Sequence, residues 1–300
     1  NDYQVTCMFG SPSLIHALGN FCKKENIELT PLRMVSCGGA PMTLDIMRTF
    51  RSVLRDDAVF ETTWGATEGL PLTSVSIDTL LGEAKPLMDA GKGVCIGAPV
   101  GEVEVKAIKI TEGPIESWSD ALEVSHGEVG ELIVRGPNIS PRYHNDPVSD
   151  KAHKIPGSEG NWHRTGDLGW FDDQGRVWFG GRSSHQVSLN NPPVTLYSVQ
   201  SEGVTNNHPN VYRSALVCAF ADDERRKAAV MCIELTPETD QDEIPRIKEE
   251  LLAMMEKFPS TQPVKQVLFH PSFPVDIRHN AKIERHILGR WATQQLDETA

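Results

Sequence analysis

One short segment of the chain combines the side-chain types that a nucleotide site needs. In Trp64-Gly65-Ala66-Thr67-Glu68, an aromatic ring, a glycine, a hydroxyl and a carboxylate follow a predicted strand. The ring could stack on a base, the hydroxyl could contact a phosphate, and the carboxylate could bind a divalent metal ion. A tryptophan packed beside an ordinary loop would explain the same residues, so the segment by itself leaves both interpretations open.

A glycine pair follows a second predicted strand, in Gly38-Gly39-Ala40-Pro41. Because glycine has no Cβ, a planar ligand or a phosphate could approach the backbone closely there. A plain strand-to-helix turn is the simpler explanation of this segment taken alone. The glycines therefore support a ligand site only in combination with other segments.

Two charged residues farther along the chain are also candidates. Asp167 ends the sequence Thr165-Gly166-Asp167, which precedes a predicted strand at 168–171, so its carboxylate could accept hydrogen bonds from a sugar diol. Lys282 lies near the end of the chain. The ordinary explanations are an aspartate in a turn and a solvated lysine at the start of a helix.

The first 65 residues predict alternating strands and helices, which would position the first two segments. Strands are expected at 5–9, 33–37 and 58–61, and helices are expected after Ser11 and Thr43, whose hydroxyls suit helix N-caps. Strands that alternate with helices form a parallel sheet, and ligands gather at the carboxyl ends of its strands. The glycine pair and the Trp64 segment both lie at such ends.

The rest of the chain predicts two more regions. Short strands separated by Gly, Pro and Asp turns indicate a β-rich subdomain over about 92–181. The polar stretch 183–193 breaks both periodicities and is predicted to be a linker. A compact α+β pattern follows, with helices near 197–206 and 243–255, strands at 215–220, 229–235 and 265–269, and a final helix. The chain is therefore expected to be an α/β protein with two domains.

Composition excludes several classes of protein. The 300 residues include 41 acidic and 29 basic side chains, and the net charge of −12 would repel a nucleic acid backbone. No window reaches the roughly 18 apolar residues of a membrane span. The six cysteines contain no Cys-x-x-Cys pair and the ten histidines lack metal spacing, which argues against a zinc site. The scattered cysteines also argue against a disulfide framework and favour a reducing compartment. We therefore expect a cytoplasmic protein that does not bind nucleic acid and does not span a membrane.

The order of these segments resembles the adenylate-forming superfamily, which comprises acyl-CoA synthetases, luciferases and the adenylation domains of peptide synthetases. Five motifs carry the resemblance and extend over nearly the whole chain. They are Trp64-Gly65-Ala66-Thr67-Glu68, Gly130-Glu131-Leu132, Thr165-Gly166-Asp167, Gly181-Arg182 and the segment around Lys282.

The resemblance implies a domain organisation and a set of ligands. Residues 1–181 would be the C-terminal part of a large AMP-binding domain, and residues 182–300 would be a small, mobile C-terminal domain. The ligands would be ATP and Mg²⁺. The nucleotide-binding residues would be Gly38, Gly39, Ala40, Pro41, Trp64, Gly65, Thr67, Asp167, Arg182 and Lys282.

The resemblance also implies individual roles. Glu68 would hold Mg²⁺, and Thr67 would contact the phosphates. Asp167 and Arg182 would hold the ribose, while Trp64 and the glycine pair would pack on adenine. Lys282 would bridge the substrate carboxylate and the α-phosphate once the small domain closes, which makes it a catalytic residue together with Thr67 and Glu68.

Several segments narrow the resemblance to the olefin β-lactone synthetases. They are 109–118, 142–145, 179–182 and 208–217. That branch activates a long-chain 2-alkyl-3-hydroxy acid with ATP and closes it to a β-lactone, releasing AMP and pyrophosphate. The partners would be this small-molecule acid and the other enzymes of long-chain olefin biosynthesis. His163 is a candidate base for the β-hydroxyl, although most histidines are structural.

Departures from the superfamily pattern keep two alternatives open. Ser184 stands where a hinge Asp or Lys is usual, Ala281 replaces a glycine, and the stretch 187–193 has two prolines and no glycine. Prolines fix φ and remove donors, so this loop cannot take the shape that lines a CoA channel. A fatty acyl-CoA ligase of the same fold and a non-catalytic nucleotide-binding module remain the alternatives.

One part of the superfamily pattern has no counterpart in the sequence. A Ser/Thr/Gly-rich loop ending in Pro-Lys, which grips the β- and γ-phosphates, would lie before the first predicted strand. We therefore expect the 300 residues to be a fragment with little adenylation activity of its own. Robust ATP–pyrophosphate exchange by these residues alone would contradict that expectation.

Overall fold

The chain divides into two compact units. A computed structural model describes residues 2–39, 42–221, 226–276 and 282–299. The first unit comprises residues 1–85 and 95–178, and the second comprises residues 86–94 and 179–300. The sequence analysis placed 86–94 and 179–181 in the first domain instead. The segment 86–94 joins the second unit because the Asn207 side chain donates to the Asp89 carbonyl and Gly91 lies against Val204.

The first unit is built on one large sheet with helices. Its helices are α1 (Pro12–Lys24), α2 (Leu44–Arg51), α3 (Ile77–Leu81) and α5 (Pro147–His153), and α4 (Lys85–Asp89) leads into the second unit. Its strands are β1 (Cys7–Gly10), β2 (Met34–Cys37), β3 (Val59–Ala66), β4 (Gly69–Ser76), β5 (Val94–Pro99), β6 (Glu104–Ile108), β7 (Gly130–Arg135), β8 (Lys154–Ile155), β9 (Trp162–Phe171) and β10 (Val177–Arg182). The first residue of β5 and residues 179–182 of β10 are counted with the second unit.

The sheet combines a parallel part with an antiparallel part. Its order is β1-β2-β3-β4-β5-β10-β9-β7-β6, and β8 pairs with β9. Strands β1, β2 and β3 run parallel to one another, as the alternation of strands and helices predicted. The pairs β3–β4, β4–β5, β6–β7, β7–β9 and β8–β9 are antiparallel. The predicted α/β fold is confirmed.

Two predicted boundaries were wrong, and both concern site segments. Strand β3 does not end before Trp64 but continues to Ala66, because Trp64 pairs with Thr73 of β4 in a hairpin. The Thr-Gly-Asp segment does not precede a strand but lies inside β9. Glycines in both segments suggested turns, but each is a local irregularity within a strand, because the residues on either side of it pair with β4 or β7.

The second unit combines a three-stranded sheet and a separate two-stranded hairpin with helices. Its strands are β11 (Val187–Asn190), β12 (Pro193–Leu196), β13 (Val211–Ala221), β14 (Arg226–Leu235) and β15 (Gln266–Phe269), and its helices are α6 (Ser198–Thr205), α7 (Ile244–Met255) and α8 (Arg285–Thr299). Strand β14 pairs antiparallel with β13 and parallel with β15. One buried cluster includes Ile233 and Leu251, and a second includes Val230 and Leu288.

The stretch 183–193 is not a linker. It forms a 3₁₀ turn at Ser183–His185 and then most of the antiparallel hairpin of β11 and β12. Val187 and Leu196 are buried in the core of the second unit, which explains why this polar sequence is ordered. Strands of four residues are too short to show a clear alternation among Ser, Asn and Pro.

The described part of the chain contains no helix with the length and apolar character needed to cross a membrane.

Candidate nucleotide site

The turn of the β3–β4 hairpin carries Thr67 and Glu68. The chain that follows β7 runs beside this turn, since Ile139 pairs with Gly69 and the Ser140 amide donates to the Glu68 carbonyl at 2.6 Å. This placement lets the Tyr143 hydroxyl donate to Glu68 Oε1 at 2.8 Å. The backbone on both sides therefore holds Glu68 in a defined position, while Thr67 is exposed.

The surroundings of Glu68 favour its ionised form. Partial burial alone would raise its pKa, but the hydrogen bond from Tyr143 and the nearby His163 and Lys154 outweigh burial and lower the pKa. The same contact acts in the opposite direction on its partner, because burial and the Glu68 carboxylate raise the pKa of Tyr143. At neutral pH, Glu68 is a carboxylate and Tyr143 is a neutral donor.

Two buried basic side chains lie near this carboxylate. Lys154 donates through Nζ to the Ser140 carbonyl at 2.5 Å, and its ammonium lies 5.4 Å from the centre of the Tyr143 ring. Burial lowers the pKa of Lys154, and the charges of Glu68 and Asp150 partly offset that effect. Lys154 thus supplies a buried amine beside the carboxylate, a feature that the sequence analysis missed.

His163 is nearly inaccessible in the first unit. Its side chain is 3% exposed, its Nδ1 lies 3.3 Å from the His153 carbonyl oxygen, and burial and the Lys154 charge lower its pKa to about 4. A neutral imidazole can accept a proton, but an efficient base has a pKa near the working pH. The assignment of His163 as the base for the β-hydroxyl stays a prediction.

The side chains of Trp64 on β3 and Asp167 on β9 form a hydrogen bond. Trp64 Nε1 donates to Asp167 Oδ2 at 2.8 Å. A bulge places Asp167 there, because the β7–β9 register shifts between Glu131 and Ile133, and Gly166 adopts a φ of 69° that favours glycine. The aromatic residue and the carboxylate that the sequence assigned to adenine and ribose are therefore in direct contact.

The glycine pair, Gly38 and Gly39, lies beside β3, the strand that carries Trp64. Gly38 follows β2, and a Cβ added to it would lie 3.0 Å from Thr63 Oγ1, one residue before Trp64. Gly39 has a φ of 90°, and a Cβ added to it would have no atom within 4 Å, so its backbone faces open space. This geometry leaves room for a flat ligand. Ala40 and Pro41, the other predicted members of this segment, lie outside the described residues.

The remaining candidates belong to the second unit. Arg182 is exposed at the end of β10. Lys282 is also exposed, and its carbonyl accepts a hydrogen bond from the Asp276 amide at 2.9 Å. Ala281 lies outside the described residues.

The described residues fit a magnesium ion that is held mainly by phosphates. Among them, no group of three or more His, Cys, Asp or Glu side chains could hold a metal ion alone. Mg²⁺ commonly keeps several waters and binds one or two carboxylates together with substrate phosphates. Glu68 meets that need because it is ionised and its Oε1 is oriented by Tyr143.

Comparisons with known proteins show similarity to nucleotide-binding enzymes. A family model described as AMP-binding enzyme matches residues 1–144. The chain is 38% identical over 98% of its length to an olefin β-lactone synthetase of Xanthomonas campestris pv. campestris, and 39% identical over 99% to one of Stenotrophomonas maltophilia. It spans about half the length of these relatives, 52% and 53% respectively.

The fold of the chain is also similar to that of a solved structure. The amide bond synthetase McbA of Marinactinospora thermotolerans matches with a TM-score of 0.74 and 25% identity, over 97% of this chain and 53% of that one.

The chain is thus similar to the AMP-binding, adenylate-forming superfamily. The resemblance inferred from the five motifs is confirmed. The sequence analysis found Trp64, Glu68 and Asp167 as candidates. It missed Tyr143 and Lys154, the two residues that lie near Glu68. Their signal was weak, because each lies more than 70 positions from Glu68 and neither belongs to a motif with an assigned role.

If the hydrogen bond from Trp64 orients Asp167 toward the ribose, its removal should weaken the binding of AMP. Trp64→Phe keeps an aromatic face but removes the donor, and a hydrogen bond to a charged group contributes about 1.5–3 kcal/mol. We expect the affinity for AMP to fall roughly tenfold or more. The preference for AMP over an analogue without ribose hydroxyls should shrink as well, because Asp167 would lose its orientation. Calorimetric titration of the complete protein measures both.

A matched control exists in the same unit. Trp178 Nε1 donates to Asp172 Oδ2, also at 2.8 Å, and both residues lie apart from the predicted nucleotide segments. Trp178→Phe should therefore leave the preference for ribose hydroxyls unchanged. Equal effects of the two variants on that preference would contradict an orienting role for Trp64.

Proposed function

We propose that the protein is an ATP-dependent ligase that activates a β-hydroxy acid as an acyl-adenylate and closes it to a β-lactone. The observation that carries the proposal is the hairpin of β3 and β4, which presents an ionised Glu68 four residues after the Trp64 side chain bound to Asp167. The identity of 38–39% to two olefin β-lactone synthetases supports this branch of the superfamily. The natural acid would be a long-chain 2-alkyl-3-hydroxy acid.

The first half of the reaction would activate the carboxylate. A carboxylate oxygen attacks the α-phosphorus of ATP, the bond from this phosphorus to the bridging oxygen breaks, and pyrophosphate leaves. Repulsion between the two anions opposes this attack, and Lys282 would reduce it by binding both reacting groups. Glu68 would hold Mg²⁺, which, when bound, neutralises phosphate charge. Asp167, oriented by Trp64, would fix the ribose.

The second half would close the four-membered ring. The β-hydroxyl oxygen attacks the activated carbonyl carbon, the bond to AMP breaks, AMP leaves as an anion, and the hydroxyl proton is released. The nucleophile is already on the substrate, so this step depends mainly on holding the hydroxyl against the carbonyl. Such orientation can contribute about 7–11 kcal/mol.

The hairpin of β11 and β12 bears on the choice between a β-lactone and a CoA thioester. Val187–Asn190 pairs with Pro193–Leu196 in a regular register, so the stretch without glycine is a closed ribbon. Val187 is buried and Leu189 packs against the same core. This packed hairpin lacks the glycine that the family resemblance assigns to a channel for the CoA thiol, which would favour an internal nucleophile.

Mass spectrometry of the products tests the proposed function. The complete protein would be incubated with ATP, Mg²⁺ and a long-chain 2-alkyl-3-hydroxy acid, with and without CoA. We expect a β-lactone, AMP and pyrophosphate without CoA, and no lactone from the matched acid that lacks the β-hydroxyl. A thioester formed only with CoA would indicate an acyl-CoA ligase, and nucleotide binding without any product would indicate a non-catalytic module.

A further inference from the structure

We propose that two buried carboxylates, Glu202 and Glu234, are positioning residues for Lys282. This inference rests on the proposed role of Lys282 in acyl-adenylate formation. Neither carboxylate belongs to a motif with an assigned role in the sequence. The two hold opposite arms of one short ribbon, and Lys282 lies on that ribbon.

The ribbon consists of residues 273–276 and 282–285. Val275 pairs with Ile283 in an antiparallel bridge, the Asp276 amide donates to the Lys282 carbonyl at 2.9 Å, and the Glu284 amide donates to the Pro274 carbonyl at 2.9 Å. These three contacts fix the backbone of Lys282 relative to the opposite arm. The placement of the lysine therefore depends on what holds the two arms.

Glu202 holds the second arm. It lies on α6, is 7% exposed, and forms a two-pronged ion pair with Arg285, with distances of 2.5 Å to Oε1 and 2.9 Å to Oε2. Its Oε1 also accepts the Leu216 amide of β13 at 2.9 Å. Arg285 is the first residue of α8 and follows Lys282 by three positions. Glu202 thus ties the end of this arm to a helix and a strand of the core.

Glu234 holds the first arm. It lies on β14 and is 8% exposed, and its Oε2 accepts the Phe273 amide at 2.7 Å and the Arg213 guanidinium at 2.7 Å. The Phe273 side chain is buried, and the Arg213 guanidinium lies 5.5 Å from the centre of its ring. Glu234 thus ties the other arm to the central strand of the same sheet.

Positioning explains this arrangement better than stability does. A buried ion pair is often no more stabilising than apolar residues of the same volume, because both charges lose their hydration. Two such carboxylates that hold the two arms of one ribbon restrict where its lysine can go. A misplacement of about 1 Å at a reacting group can cost on the order of 100-fold in rate.

Two variants of the complete protein test the proposal. Glu234→Gln weakens the hold on the first arm. The double variant Glu202→Gln with Arg285→Met weakens the hold on the second arm without leaving a buried charge unpaired. Hydrogen exchange at the Asp276 and Glu284 amides reports the ribbon, ATP–pyrophosphate exchange reports adenylation, and lactone release from a supplied acyl-adenylate reports the second half-reaction.

We expect faster exchange at both ribbon amides and adenylation slowed by about 10- to 100-fold, with the fall in kcat rather than in the KM for ATP. Lactone release should change far less. Thr261→Val is the control, because Thr261 is fully buried in the same unit and donates to the Met255 carbonyl at 2.6 Å, away from the ribbon. It should leave the ribbon amides and adenylation unchanged.

Three results would overturn the positioning role. These are adenylation that stays normal while the ribbon amides exchange faster, ribbon amides that exchange normally in both variants, and a loss in Thr261→Val equal to that in the test variants. Failure of the role of Lys282 is distinguishable, because adenylation would then be normal in Lys282→Ala itself. Failure of the proposed function would appear in the unmodified protein, as no lactone from ATP and the β-hydroxy acid.

Discussion

Replacing Lys282 with alanine is expected to slow acyl-adenylate formation by about 100- to 1,000-fold, the usual cost of removing one group that stabilises developing charge. The lysine would offset the repulsion between the substrate carboxylate and the α-phosphate, and no other described side chain is assigned to both groups. Because Lys282 is exposed, its removal should leave the thermal unfolding temperature unchanged. ATP–pyrophosphate exchange with the β-hydroxy acid measures the effect in the complete protein.

The two half-reactions separate this role from a general defect. Lactone release from a supplied acyl-adenylate should fall much less in Lys282→Ala, since the phosphate attack has already occurred. Lys248→Ala is the matched control, because Lys248 is an exposed lysine of α7 in the same unit. Lactone formation from ATP and acid at the normal rate in Lys282→Ala would show that the assignment of this lysine is wrong.

Replacing Glu68 with glutamine is expected to lower adenylation by about 100-fold and to raise the Mg²⁺ concentration needed for half-maximal rate. The substitution removes the charge that would bind the metal ion. Its amide oxygen can still accept the hydrogen bond that Tyr143 donates to Glu68 Oε1 at 2.8 Å. The local structure should therefore persist while the metal dependence changes. Rates of ATP–pyrophosphate exchange over a series of Mg²⁺ concentrations measure this.

Glu61 provides the control for Glu68. It lies on β3 of the same hairpin, is half-buried, and accepts a hydrogen bond from the Ser74 hydroxyl at 2.8 Å, so Glu61→Gln makes the same chemical change outside the predicted site. Its Mg²⁺ dependence should match that of the unmodified protein. An unchanged Mg²⁺ requirement in Glu68→Gln would remove Glu68 from the metal site, whatever its effect on rate.

Local patterns predicted much of the secondary structure because their causes are local. Ser11 and Thr43 were expected as helix caps, and their hydroxyls accept the amides of Leu14 and Ile46, both at 3.4 Å. Such a contact involves residues three positions apart, so the sequence shows it directly. The other helices and strands of the second unit were also predicted, with boundaries shifted by a few residues, but the hairpin of β11 and β12 was not.

Contacts between distant positions escaped prediction for a related reason. The hydrogen bond from Trp64 to Asp167 joins residues 103 positions apart. It depends on the bulge at Gly166 and on the order of the strands, and neither leaves a signal in a short window of sequence. The Thr-Gly-Asp segment consequently looked like a turn before a strand, although it lies inside β9 because the residues on both sides of it pair with β7.

The sequence by itself determined the superfamily and the candidate chemistry of this protein, because the types and order of Trp64, Glu68, Asp167 and Lys282 can be read directly from it. Only the tertiary structure decided that Tyr143 orients one oxygen of Glu68, and that buried carboxylates hold both arms of the Lys282 ribbon. Motifs report residue identity along the chain. Burial and long-range hydrogen bonds depend instead on how strands and helices pack, which is a property of the whole fold.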